Sequence, residues 1–247
     1  MNVKKAIVCD MDGTLTPSKA PLGEDMAGLI CRVLSRHYMA VVSGGAYSQF
    51  QKQFLSYLIC SEEQLKNLFL FPTNGSVCYS YNDGSWRELY SEPLSSLEKE
   101  EIISALNDGM KKSGLDFSGA YGEIIEDRGS QITFSGRGQE APLDIKKVWD
   151  PDGAKRAIIV NLIKEKISRF EIRVNSVSSI DINRKGIDKA YAVQKIKEIL
   201  KVSDEDIIFV GDGLFKGGND SAIKKTDVDY IQVSSPEETM EFLRQYT

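Results

Sequence analysis

Histidine is nearly absent from this sequence: His37 is the single example in 247 residues. A zinc centre made of several imidazoles, or a serine triad resting on more than that one ring, is therefore hard to build. Cysteine is sparse as well. Cys9, Cys31, Cys60 and Cys78 are widely spaced and form no CxxC pair, so they read as small buried apolar residues in a reducing cytoplasm rather than metal ligands or disulfide partners. No stretch is rich in Lys or Arg, and the net charge is −5, which argues against nucleic acid or an anionic membrane as the main partner. Long apolar runs are missing too. The start, Met1-Asn2-Val3-Lys4-Lys5, leads into an apolar run at residues 6–9 that Asp10 ends, far too short for a signal-peptide core or a membrane span. What remains is ordinary for a cytoplasmic globular chain, with 41% apolar and 27% charged residues, enough to bury a real core. Its chemistry must run on carboxylates, hydroxyls, lysine or a hard metal ion.

Short buried strands are predicted at residues 6–9, 40–42, 68–71 and 207–210, each a compact apolar run closed by turn-forming residues. Between them, Met26, Leu29, Ile30, Val33 and Leu34, then Phe50, Phe54, Leu55 and Leu58, and later Ala192, Val193, Ile196, Ile199 and Leu200 recur at helical spacing. Alternating strands and helices predict an α/β fold with a Rossmann-like parallel sheet. The middle differs. Residues 77–89 read as a hairpin around Asn82-Asp83-Gly84, residues 96–112 as a helix, and 131–134 and 171–174 as strands among many Gly and Pro breaks. The expectation is a core at residues 1–85 and 184–247, interrupted by an inserted α+β cap at residues 86–183.

Asp10-Met11-Asp12-Gly13-Thr14 follows the first buried strand, and ligands of parallel sheets bind at the carboxyl ends of strands. Two carboxylates so close repel each other unless a cation sits with them. Mg²⁺ suits them, because it takes hard oxygen ligands and leaves room for substrate phosphate. One acid can then act as nucleophile and the other as proton shuttle. An acidic turn can also be a plain solvated strand end. A calcium loop fails, because glycine stands at the fourth position rather than the sixth and Pro21 at the twelfth. Three further segments fall where a phosphate site needs them. Ser43-Gly44 ends the second strand, Lys189 opens a helix, and Gly211-Asp212-Gly213 ends the last core strand before Gly217-Gly218-Asn219-Asp220. Other signals are weak: Gly136-Arg137-Gly138-Gln139-Glu140-Ala141 fits a dinucleotide pattern by letter, yet Pro142 stands where its helix should begin. Trp86 and Trp149 read as packing rather than a base-stacking platform.

The set DMDGT, VVSGG, GIDK and GDGLFKGGND resembles the four motifs of the haloacid dehalogenase superfamily in their usual order, with the insert placed as in its large-cap members. The resemblance implies Asp10 as a nucleophile that forms an aspartyl-phosphate and Asp12 as general acid/base. Thr14, Ser43, Gly44 and Lys189 would then bind the phosphate. Mg²⁺ would sit on Asp10, the Asp12 carbonyl and Asp212, with Asn219 and Asp220 completing its site. Within that superfamily the chain looks most like phosphomannomutases of the eukaryotic type. Gly217-Gly218-Asn219-Asp220 matches their metal loop, Thr73-Asn74-Gly75 with Tyr79 their NG…Y hairpin, and residues 179–189 their S-F-D…G-W-D-K run without the tryptophan. By that likeness Ser179, Asp181 and Arg128 would belong to a sugar-phosphate site in the cap, with Arg137 as a second, differently spaced arginine. The second motif is VVSGG where that family reads VVGGSD. The expectation is a Mg²⁺-dependent phosphatase for a small sugar phosphate. The alternatives are a hexose-phosphate mutase and a non-catalytic sugar-phosphate sensor, which would need neither Asp10 nor Asp12.

Overall fold

The computed structural model describes residues 4–175 and 177–247, so residues 1–3 of the amino-terminal run lie outside it. The chain opens with strand β1 (Ala6–Asp10), helix α1 (Glu24–Leu34), strand β2 (Tyr38–Val42), helix α2 (Tyr47–Gln53), the short helix α3 (Glu62–Leu65) and strand β3 (Leu68–Phe71). A tight turn at Thr73–Gly75 leads into the hairpin β4 (Val77–Asn82) and β5 (Ser85–Ser91). After it come α4 (Ser96–Ser113), β6 (Ile125–Asp127), β7 (Ile132–Ser135), α5 (Leu143–Trp149), α6 (Ala154–Ile163), β8 (Phe170–Asn175) and β9 (Ser179–Arg184). The chain ends with α7 (Lys189–Leu200), β10 (Ile207–Gly211), β11 (Asp229–Gln232) and α8 (Pro236–Leu243). No described helix is long and apolar enough to cross a membrane.

These elements form two compact units, residues 1–91 with 187–247, and residues 92–186. Among the described residues of the first, the sheet runs β11-β10-β1-β2-β3-β4-β5. The neighbours from β11 to β3 are parallel, and the hairpin closes the other edge antiparallel. Apart from Asp10 at the end of β1, the central strands carry almost only apolar residues, as two-sided burial requires. Ile7, Cys9, Met39 and Val41 join the cluster under α1 and α2, while Val8, Ala40, Val42 and Phe209 join the one under α7. The hairpin belongs here because Tyr90 reaches back, its hydroxyl donating to the Gly75 carbonyl at 2.6 Å and its ring lying under Lys195 of α7. The first unit's opening segment therefore runs to Ser91, six residues past the change of pattern expected after 85.

Gly75 has φ +91, and a methyl there would come within 2.6 Å of the Ala192 methyl on α7. Only glycine fits that turn against that helix.

In the second unit an antiparallel sheet, β6-β7-β9-β8, carries Ile132, Phe134, Ile180 and Ile182 against Ile102, Leu106, Ile159 and Ile163 of α4 and α6. The alternate residues are polar yet buried, Thr133, Ser135, Asp181 and Asn183 among them. Asp150 caps α6: its carboxylate accepts from the Lys155 and Arg156 backbone N–H groups and from Arg156 Nε at 2.6 Å. A helix does follow Pro142, contrary to the expectation there. Its Trp149 occupies the space that a side chain at Gly136 would need, so that glycine serves packing. Trp149 packs with Phe134 and Phe117, and Trp86 meets Tyr81 edge-on.

The cysteines divide, and here the sequence reading is corrected. Cys9 and Cys78 are buried thiols, but Cys31 and Cys60 form a disulfide, with Cα atoms 5.2 Å apart. Cys31 lies on α1 and Cys60 just before the Ser61 cap of α3. Gln64 Nε2 binds the Cys31 carbonyl across the same contact. The pairing depends on how two helices dock, which residue spacing does not reveal.

Candidate active site

β1, β2 and β10 are parallel neighbours, so their carboxyl ends bring the predicted motifs together. Asp10 ends β1 in register with Val42, and Ser43 follows at once. Asp212 follows Gly211, the last residue of β10. Gly13 has φ +88, and a methyl there would overlap the Asp212 carboxylate, so glycine is required twice over. Thr14 is buried, and its hydroxyl accepts from the Asp212 N–H at 3.1 Å, tying the two strand ends.

Lys189, the first residue of α7, is wholly buried beneath these ends. Its ammonium donates to Asp10 Oδ1 at 2.5 Å and pairs with Asp220. Asp220 in turn accepts from the Gly213 N–H at 2.9 Å. Carboxylate oxygens of Asp10, Asp212 and Asp220 lie within 4.8 Å of one another. Three acids thus crowd around one buried ammonium, which pairs with Asp10 and Asp220. Burial pushes the Asp10 carboxyl up to about 8 despite Lys189, with Asp220 and Asp212 adding to the rise. Burial and Asp220 likewise raise Asp212. Burial opposes the charge of Lys189, but Asp10 and Asp220 outweigh it and hold the ammonium above its ordinary range. Asp10 Oδ2 is buried with no hydrogen-bond donor. An oxygen-only cluster of three carboxylates with surplus negative charge fits a hard divalent cation such as Mg²⁺. Asn219 lies against Gly213 beside this cluster.

Asp12 is placed differently. Its carboxylate is outside that cluster and accepts from four donors: the Lys19 backbone N–H, Lys19 Nζ, Gln49 Nε2 and Gln53 Nε2. Burial works against its charge, but Lys19 and then Gln53 prevail and lower its pKa. Lys19 adopts φ +59 to reach it. Neither glutamine was picked out by sequence reading. The available signal was two glutamines four apart on the helix after the second motif, hence on one face.

Ser43 is buried, with its hydroxyl accepting from the Gly45 N–H at 3.1 Å, and Gly44 beside it is also buried. The cap candidates lie in the second unit. Arg128 donates to Glu126 at 2.7 Å and to Gln139, whereas Arg137 donates to the carbonyls of Ser118 and Gly119, both at 3.0 Å. Asp181 accepts from the Thr133 hydroxyl at 2.9 Å, and Ser179 is half-buried at the start of β9. His37 packs edge-on against Tyr246, with Nδ1 2.8 Å from the Lys4 carbonyl.

Asp10, the buried Lys189 and an acidic cluster that fits a cation thus meet at adjacent strand ends, and the comparisons give the family. The family model for haloacid dehalogenase-like hydrolases matches residues 7–221, and the chain belongs to that family. It is similar to the phosphomannomutase of Spinacia oleracea, 28% identical over 97% of this chain and 95% of that one. It is also similar to that of Schizosaccharomyces pombe, 26% identical over 89% and 85%. Among solved structures, a truncated Plasmodium falciparum IMP-nucleotidase superposes with a TM-score of 0.75 at 18% identity, over 99% of this chain and 72% of that one. SMU.1108c of Streptococcus mutans superposes with a TM-score of 0.67 at 17% identity, over 98% of both chains. Those structural likenesses carry the fold.

Proposed function

We propose that this chain is a Mg²⁺-dependent phosphatase for a small sugar phosphate or similar phosphomonoester, acting through an aspartyl-phosphate on Asp10. The observation that carries this reading is the asymmetry of Asp10, one oxygen held by Lys189 and the other, Oδ2, buried without a donor. Such an oxygen is oriented and unencumbered, as a nucleophile must be. It bonds to phosphorus as the bond to the leaving oxygen breaks, and Asp12, protonated once the negative charge of the incoming phosphate offsets that of Lys19, delivers its proton to that oxygen. Water then attacks the same phosphorus, Asp12 takes its proton, phosphate departs and Asp10 is restored. Lys189 and the Ser43-Gly44 segment supply a cation and polar donors for the phosphoryl oxygens. Mg²⁺, held by Asp10, Asp212 and Asp220, would offset the charge that otherwise repels a phosphate dianion.

Hydrolysis is favoured over mutase chemistry because Arg128 and Arg137 both have partners within the second unit. A mutase must hold the far phosphate of a bisphosphate, a task suited to an arginine fork. The mutase remains the second reading, since the phosphomannomutase relatives match along nearly the whole chain. The test supplies mannose 1-phosphate or glucose 1-phosphate with a trace of the 1,6-bisphosphate. Free phosphate should appear faster than the 6-phosphate. The reverse order, abolished by Arg128→Ala, would establish the mutase.

The metal is tested by stability against pH. The carboxyl of Asp10 lies near 3.8 unfolded and is pushed up to about 8 in the fold. Between those values the native state holds the extra proton, so this group's contribution to stability falls as pH rises towards 8. Metal binding needs the ionised carboxylate. The gain in melting temperature on adding Mg²⁺ should therefore be larger at pH 8 than at pH 6. A gain independent of pH, or none, would count against Asp10 as a ligand.

A further inference from the structure

The carboxylate of Asp12 is surrounded by donors from two directions, and one of them rests on the second motif. Gln49 and Gln53 lie four apart on α2, on the face that meets Asp12. Gln49 Nε2 donates to Asp12 Oδ2 at 3.0 Å and to Gln53 Oε1 at 2.8 Å. Gln53 Nε2 donates to Asp12 Oδ1 at 2.9 Å and to the Thr16 hydroxyl at 2.8 Å. Both hydrogens of each amide nitrogen are thus committed. Turning over the Gln49 amide would set its oxygen against a carboxylate and against the Gln53 carbonyl oxygen, so the network has one consistent arrangement.

The other end of Gln49 lies on Gly45. A methyl built at Gly45 would overlap Gln49 Oε1, although the backbone there lies outside the positive-φ region and any residue could adopt it. Gly45 is also joined to the phosphate-motif serine, its N–H donating to Ser43 Oγ, and its carbonyl accepts from Thr73 N–H. The missing side chain at 45 therefore makes room for the amide that reaches Asp12.

We propose that Gln49, seated on Gly45 and braced by Gln53, is a positioning residue that aims Asp12 for proton transfer during phosphoryl transfer. The proposal rests on the reading of Asp10 as nucleophile and Asp12 as acid/base. It assigns a role to the third residue of the Ser43-Gly44-Gly45 segment, namely to admit the Gln49 amide. It also predicts coupling: Gly45→Ala acts by displacing Gln49, so its effect vanishes once that side chain is gone.

The test separates the two halves of turnover with p-nitrophenyl phosphate and Mg²⁺. Its phenolate leaves without a proton, so the first-turnover burst reports attack by Asp10, whereas the steady state needs Asp12 to take a proton from water. Gln49→Ala, and Gln49→Leu as a variant of similar bulk, should keep the burst rate within about threefold. Each should lower the steady-state rate about ten- to a hundredfold, part of what acid/base catalysis supplies. Gly45→Ala should do the same, and Gly45→Ala with Gln49→Ala should be no slower than Gln49→Ala alone. Equal loss of burst and steady state in both Gln49 variants, or additive losses in the double variant, overturns the proposal while leaving the phosphatase reading intact. Absence of any burst or turnover in the parent protein, with p-nitrophenyl phosphate and sugar phosphates alike, defeats the phosphatase reading itself.

Discussion

Asp10→Asn should leave a folded protein with at least about a thousandfold less phosphatase activity, the scale on which loss of a nucleophile is felt. An amide can still be held by its neighbours but cannot attack phosphorus. Folding should survive, because Lys189 keeps Asp220 as its partner and one of three crowded acids is removed. Without metal at pH 8, the variant should therefore melt no lower than the parent. Activity should be followed by phosphate release and folding by circular dichroism. A well-folded variant retaining more than about one per cent of activity would rule out covalent catalysis on Asp10.

The second large effect concerns stability. The Cys31–Cys60 bridge closes a loop of 29 residues' separation that contains β2, the Ser43-Gly44-Gly45 segment and α2. Restricting the unfolded chain over such a loop is worth about 3–4 kcal/mol on the chain-entropy model. Cys60→Ser should accordingly lower the melting temperature by roughly 10 °C in a chain of this size. Cys31→Ser should match it, and reduction should produce the same fall in the parent protein. Thiol titration of the denatured, unreduced parent should find Cys9 and Cys78 only. Four reactive thiols in that titration, or unchanged melting in Cys60→Ser, would show that the bridge does not form in solution.

The disulfide also marks where sequence reading ran out. The central strands were legible because a buried parallel strand leaves an unbroken apolar run, as at residues 207–210, and because glycines and acids mark where such runs stop. The meeting of Asp10, Asp212, Asp220 and Lys189 followed from strand ends lying on one edge. What could not be read depends on contacts across the chain. Gln49 and Gln53 look like the solvated side of an amphipathic helix until Asp12 is set against them. Helix α6 is apolar on more than one side, with Ile158 exposed and Ile159 buried, so its periodicity is blurred. The hairpin strand β5 is mostly exposed, and what ties it to the first unit is Tyr90, a residue with no distinguishing pattern around it.

Gly75 shows how finely the position of the buried ammonium is set. α7 begins with Lys189, and three residues on, Ala192 rests on the bare backbone of Gly75. Both partners are nearly as small as residues can be, so the helix approaches the turn as closely as two backbones separated by one methyl allow. That clearance works like a spacer gauge for the lysine at the helix's tip. A larger residue at either place has nowhere to go, because Val193, Ile196 and Phe71 already fill the surrounding layer. The helix would have to lift or slide, carrying Nζ away from Asp10 and Asp220 by a comparable distance. The alignment of the buried ammonium with Asp10 and Asp220 is thus written partly in two small residues that carry no charge themselves.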